Sequence, residues 1–176
     1  MSRDASSKSS SESDSSDPNG AVSSSDAFTF AMGEFTAEFP RDRSYATNHM
    51  WAQQVAAGKW RFGLTAYAVR LLQDVYFLDW ELEPPTPIRL RAQIGAIESK
   101  KAESDLYAPL RGQFVGVNEA VLKDPSLINA DAYGEGWLVE IETDDDSPLL
   151  TPDEYSEHLV EAWEVAQRTI KGQANH

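Results

Sequence analysis

Hydrophobic and polar residues divide this chain into a polar head and a long region of short, evenly spaced apolar runs. From about residue 45 these runs have the period and makeup of β-strands. Met50–Ala56 alternates loosely, Ala57-Gly58 supplies a turn and Lys59–Leu64 returns, which predicts a hairpin. Asp74–Trp80 (DVYFLDW) is aromatic and β-branched, the makeup of a half-buried strand. Pro84, Pro85 and Pro87 then force an extended connection that cannot be helical. Ile88–Arg91, Gln93–Ile97, Asp105–Ala108 and Gln113–Val117 read as four more short strands, and Gly136–Glu142 alternates Trp137, Val139 and Ile141 against polar positions. Spacing this regular favours a mainly β fold, a small barrel or sandwich, over a parallel sheet with crossover helices.

Three helical pieces punctuate the strands. Thr65 can cap a short helix over Ala66–Leu72, and Asn118 can cap Glu119–Lys123, which stops before Pro125. The longest is C-terminal, over 152–171. Thr151 stands as N-cap, Pro152 at the first helical position and Glu154 three residues after the cap, a capping box. Tyr155, Leu159, Trp163, Ala166 and Ile170 then recur at helical spacing before Lys171-Gly172 supplies a cationic last turn and a stop. That stripe is expected to pack onto the barrel.

Composition adds a tail. Residues 1–26 hold 12 serines, five acidic residues and two basic ones, with no aromatic side chain. Such a stretch cannot bury enough apolar surface to offset its ordering entropy, so it is expected to be disordered. It has no apolar h-region for secretion, and Asp4, Glu12, Asp14, Asp17 and Asp26 weigh against mitochondrial import. The domain reading is therefore a Ser/Asp-rich tail over 1–44 and one domain over 45–172. The chain carries a formal net charge of −14. That balance argues against nucleic acid, which needs a basic footprint, and against a polybasic membrane-surface protein. Arg61 and Arg70 interrupt the most hydrophobic region, so no segment reads as a membrane span, and a cytoplasmic location is expected. The sequence has no cysteine, which excludes disulfides, thiolate metal sites and a cysteine nucleophile.

Few residues suggest chemistry in place. His49, His158 and His176 are scattered along the sequence, so no metal site is expected. Asp144-Asp145-Asp146 lacks the spaced ligands and central Gly of a calcium loop, Gly134-x-Gly136 reads as a turn, and G-x-S-x-G is absent. One segment stands out. Two β-compatible runs, Gln93–Ile97 and Asp105–Ala108, flank a polar connector holding Ser99, Lys100, Lys101 and Ala102, which puts one or two lysines at the tip of a protruding hairpin.

Glu98-Ser99-Lys100-Lys101-Ala102-Glu103-Ser104-Asp105-Leu106-Tyr107-Ala108-Pro109 closely resembles the lipoylation hairpin of the glycine cleavage system H-protein family, E-S-x-K-A-x-S-D-L-Y-[AS]-P. The resemblance extends over roughly residues 45–160. His49-Met50-Trp51 is similar to His-Glu-Trp, Gly63–Ala68 to G-[IL]-T-D-Y-A, and Leu72–Val75 to L-G-D-[IV]. Val117–Ala120 followed by Leu127-Ile128-Asn129 matches V-N-E-A…L-[VI]-N, and Tyr133–Leu138 matches Y-G-E-G-W-L. Ala66 stands where the family has Asp, Gln73 where it has Gly, and Met50 where it has Glu.

The resemblance implies a barrel-sandwich hybrid of the lipoyl/biotinyl type, with short helices and a C-terminal helix. It implies a carrier, not an enzyme, with lipoate in amide linkage on Lys101, and with Glu98 and Gly112 as recognition positions of the modification site. The implied partners are the glycine-decarboxylating P-protein, the aminomethyltransferase T-protein, the dihydrolipoyl dehydrogenase L-protein and a lipoate-attaching enzyme. A flexible arm on a rigid hairpin suits that task, because it raises the local concentration of the carried group at each active site without a tight complex. Three other readings stay open: an H-like lipoyl carrier serving lipoate relay or another oxidation pathway, a biotinyl carrier, and an unmodified binding module on the same fold. The biotinyl reading is disfavoured because Lys101 lacks flanking methionines.

Overall fold

In the computed structural model the described residues are 26–174. The expected disorder of the Ser-rich head concerns residues that, but for Asp26, lie outside them.

The chain order begins with two elements that the sequence reading placed inside the tail. β1 (Ala27–Met32) and β2 (Phe35–Pro40) form an antiparallel hairpin turning at Gly33, where φ is +67°. The assignment of 27–44 to the tail is therefore corrected. Phe28, Met32, Ala37 and Phe39 alternate onto one face and are buried. That apolar face is what lets the segment order, since burial offsets its entropy.

Two further sheets make the body. One runs in the order β3 (Ser44–Tyr45), β4 (Met50–Ala56), β5 (Lys59–Leu64), β11 (Val139–Glu142), β10 (Gly112–Val117), β7 (Thr86–Ile88). The other is β6 (Val75–Trp80), β8 (Gln93–Ser99), β9 (Glu103–Tyr107), with β8 central. Their inner faces share one core, in which Phe62, Leu64, Phe114, Val139 and Ile141 meet Leu78, Ile94, Ile97 and Leu106. The molecule is thus mainly β, two sheets closed on one core with short helices between them, as the sequence pattern and the resemblance imply.

The expected β4–β5 hairpin turns at Gly58, with Ala56 opposite Lys59. The strand expected over Ile88–Arg91 is instead β7, ending at Ile88, because Arg91 takes φ +70° in a turn closed by Ala92 N–H to the Arg89 carbonyl (3.1 Å). Pro87 is tolerated because β7 is an edge strand. The last strand is also shorter than expected: Trp137 belongs to the turn, with its N–H on the Gly134 carbonyl (3.2 Å).

α1 (Ala66–Leu72) is capped by the Thr65 hydroxyl, which accepts from Ala68 N–H, and α2 (Glu119–Lys123) by Asn118, which accepts from Ala120 N–H. α3 (Leu127–Ala130) is one turn with Ile128 buried. α4 (Pro152–Ala174) opens on the expected capping box: Glu154 N–H donates to Thr151 Oγ1 (3.1 Å) and Thr151 N–H to Glu154 Oε1 (2.9 Å). Its apolar stripe does not reach the barrel core. Tyr155 and Leu159 bury themselves with Phe28, Phe39, Tyr45, Trp51 and Tyr67 in a second core, so α4 packs against the β1–β2 hairpin. No helix among the described residues is long and apolar enough to cross a membrane.

Candidate functional site: a lysine turn

β8 and β9 pair down to Glu98 opposite Glu103, and residues 99–102 make the turn between them. Ser99 organises it. Its N–H donates to the Ala102 carbonyl (2.9 Å), and its Oγ donates to the same carbonyl (3.1 Å) while accepting from the N–H groups of Lys101 (3.3 Å) and Ala102 (3.2 Å). One short hydroxyl side chain therefore satisfies donors that a four-residue turn would otherwise leave to water.

The turn is also tied to the body. Lys100 N–H donates to the Asp74 carbonyl (2.8 Å), and Lys101 N–H reaches the Leu72 carbonyl at 3.4 Å. Those carbonyls lie at the end of α1 and the start of β6. This joint is itself clamped: Gln73 N–H donates to the Val69 carbonyl (2.8 Å), Asn129 Nδ2 to the Gln73 carbonyl (2.8 Å), and Val75 N–H to Asn129 Oδ1 (2.9 Å). Lys100, Lys101 and Ala102 remain exposed. The arrangement offers a primary amine on a long stem, in water, from a backbone that is held on both sides.

Of the residues singled out from the sequence, Lys101 and Glu98 share this hairpin. Glu98 sits directly across from Glu103, and the Glu103 carboxyl hydrogen-bonded to it holds the Glu98 carboxyl above its usual range, with burial and charge repulsion adding to the effect. Like charges opposed across a sheet are destabilising. Gly112 is not in this group. It begins β10 in the other sheet, opposite Ile88, with φ +150°. A Cβ there would fall 2.0 Å from the Glu142 carbonyl oxygen, so the backbone itself demands glycine.

Sequence reasoning missed the supporting residues. Ser99, Leu72, Asp74 and Asn129 all fall in segments that carry the resemblance, but nothing local marks Ser99 as the organiser of the turn or the other three as supports of the joint beneath it. His49 and His158, far apart in sequence, stack with ring centroids 5.3 Å apart, and His49 Nδ1 lies 2.8 Å from Tyr155 Oη. Among the described residues no group of His, Asp or Glu is placed to hold a metal ion.

Comparison with known proteins agrees with the hairpin. A family model described as Glycine cleavage H-protein matches residues 43–162. The glycine cleavage system H protein of Mycolicibacterium vanbaalenii is 37% identical over 131 residues, covering 71% of this chain and 99% of that protein. A probable glycine cleavage system H protein of Natronomonas pharaonis is 41% identical over 126 residues, covering 69% and 97%. The crystal structure of the glycine cleavage system H protein from Mycobacterium marinum superposes with a TM-score of 0.61 at 37% identity, covering 68% of this chain and 97% of that one. By family model, sequence and structure alike, this chain belongs to the glycine cleavage H-protein family.

Proposed function

We propose that the chain is the lipoyl carrier of the glycine cleavage system, with lipoate in amide linkage on Lys101. The observation that carries this reading is the exposed amine of Lys101 on a turn whose backbone is held by Ser99 from within and by Leu72 and Asp74 from below. The lipoyl group supplies a dithiolane that takes up and gives back an aminomethyl unit. The chain presents that group and catalyses nothing itself.

Its residues act on position. Ser99 and the two carbonyls fix where the lysine stem begins, and full exposure of the tip lets an enzyme enclose it. Glu98 stands one residue before the turn and is the contact we assign to the lipoate-attaching enzyme. The glycine at position 112 we assign to maintenance of the fold. The partners are then the P-protein, which loads the arm, the T-protein, which unloads it, and the L-protein, which reoxidises it. The net charge of −14 suits brief docking onto basic rims around those active sites.

Intact mass tests the reading. Coexpression with a lipoate–protein ligase and lipoate is expected to add one lipoyl increment to the wild type and to Lys100→Ala, and none to Lys101→Ala. An unmodified wild type beside a modified ordinary H-protein in the same cells overturns it.

A further inference from the structure

Phe35 of the β1–β2 hairpin lies under the Arg70 guanidinium, whose carbon is 4.4 Å from the ring centroid. Arg70 stands in the last turn of α1 and is exposed. It makes no ion pair or hydrogen bond with the described residues, although Asp74, one turn further on, lines the same hollow. Four other arginines each hold a carboxylate: Arg41 that of Asp153, Arg43 that of Asp42, Arg61 that of Glu140 and Arg111 that of Asp144. In a chain with 29 acidic residues against 15 basic ones, Arg70 keeps its planar donor fork open, and that fork matches a carboxylate.

The ring beneath it is an addition to the family's fold. Phe35 precedes residue 43, where the match to the family model begins. Stacking on the ring restricts a side chain that would otherwise lose its rotamer freedom on binding, so the hairpin pre-organises the fork. The place is beside the lysine turn. Phe35, Arg70 and Asp74 line one hollow of about 510 Å³, and the Asp74 carbonyl takes Lys100 N–H. A hollow of that volume is about 10 Å across, whereas a standard interface covers about 800 Å² on each partner, a disc about 16 Å in radius. An enzyme centred on the lysine turn therefore covers Arg70 as well.

Other charged surfaces do less. Arg89 and Arg91 are also exposed and without ion pairs among the described residues, but they lie past the far end of β8, roughly 20 Å of strand from the turn. The outer face of the three-stranded sheet, with Asp79, Glu98, Glu103 and Asp105, carries the sign of the whole molecule. A surface of one sign attracts a basic partner, and a contact of the opposite sign within it fixes the register.

We infer that Arg70, held in place by Phe35, is the docking contact for a carboxylate on the enzyme that encloses the Lys101 turn. The inference rests on the carrier reading above. The acidic surface brings the enzyme in, and the Arg70 fork sets the orientation in which it sits. A partner suited to this chain carries an Asp or Glu at that point of an otherwise basic rim.

The test uses the lipoylated full chain, with the mass increment on Lys101 established first, and the P-protein of the same organism. The readout is KM for the carrier in glycine-dependent loading of the arm. Arg70→Glu and Arg89→Glu each lower the net charge of −14 by two, so attraction by net charge alone gives both variants an equal or smaller KM. Arg70→Glu is expected instead to raise KM about tenfold at unchanged kcat, while Arg89→Glu does not. Arg70→Lys, which keeps the charge but not the fork, and Phe35→Ala, which frees the side chain, are expected to raise KM by a smaller factor. An Arg70→Glu variant with an equal or smaller KM, or one matched by Arg89→Glu, overturns the inference and leaves the carrier reading intact. A lipoylated wild type that the P-protein does not load sinks both.

Discussion

At the scale of single residues, two positions show how much backbone geometry dictates. Gln73 is held at φ +62° by its N–H, which donates to the Val69 carbonyl, and by its own carbonyl, which accepts from Asn129 Nδ2. Gln73→Gly is expected to stabilise the fold by about 1 kcal/mol by releasing that strain, read as a higher denaturation midpoint. Gly112→Ala is expected to go strongly the other way, by roughly 3 kcal/mol or more, because the clash is with the Glu142 backbone, which cannot rotate aside. The same two denaturation curves check both. The resemblance to the H-protein hairpin singled out Lys101, Glu98 and Gly112 together. It did not separate a surface position from a backbone one, because the motif records identity and not φ. Ser99 was in plain view, yet its role needs three partners within a four-residue turn, a relation that only coordinates express.

Elements with a strong local signal were legible from the sequence. The β4–β5 hairpin follows from alternation around Ala57-Gly58, and the caps of α1, α2 and α4 from Thr65, Asn118 and Thr151. Thr151→Ala removes half of the α4 capping box, and is expected to cost about 1 kcal/mol, roughly 2–4 °C in the thermal midpoint. An unchanged midpoint would show that tertiary packing at Tyr155 and Leu159, not the cap, holds the first turn. The β1–β2 hairpin was missed although Phe28, Phe30 and Met32 alternate on one side of Gly33 and Phe35, Ala37 and Phe39 on the other. Its position just after a serine-rich stretch hid that pattern. Its partners, Tyr45 and the distant Tyr155, could not be read locally at all. β7 ended early for a similar reason: the positive φ at Arg91 comes from the turn that meets Ala108, not from its own propensity.

For the molecule as a whole, the histidine stack sets a pH limit. Burial, and then the neighbouring His158, push the His49 imidazole down to about 4, so the folded protein keeps it neutral. The unfolded chain binds a proton there near pH 6.5. Between those values the unfolded state holds more protons, so stability is full above about pH 6.5 and falls as pH drops towards 4. Tyr155 and Tyr67, packed against the same ring, tie that loss to α4 and α1. His49→Asn, which suits the φ of +70° at this site, is expected to flatten the fall between pH 6.5 and 4. Parallel denaturation midpoints for wild type and variant across that range would show that another group sets the limit.

The second core joins the first described element to the last. Phe28 stacks on Phe39 at 4.9 Å, and Phe39 meets Tyr155 edge to face at 5.7 Å, with more than a hundred residues of chain between hairpin and helix. Translation delivers these partners in order, the hairpin before α4. Until α4 has cleared the ribosome, the aromatic face of the hairpin has no lid. The barrel, whose strands all precede α4, can close first, while the hairpin still exposes a sticky aromatic patch. The time taken to synthesise the residues from β2 to α4 then sets a minimum for how long that patch stays open to chaperones and to other nascent chains.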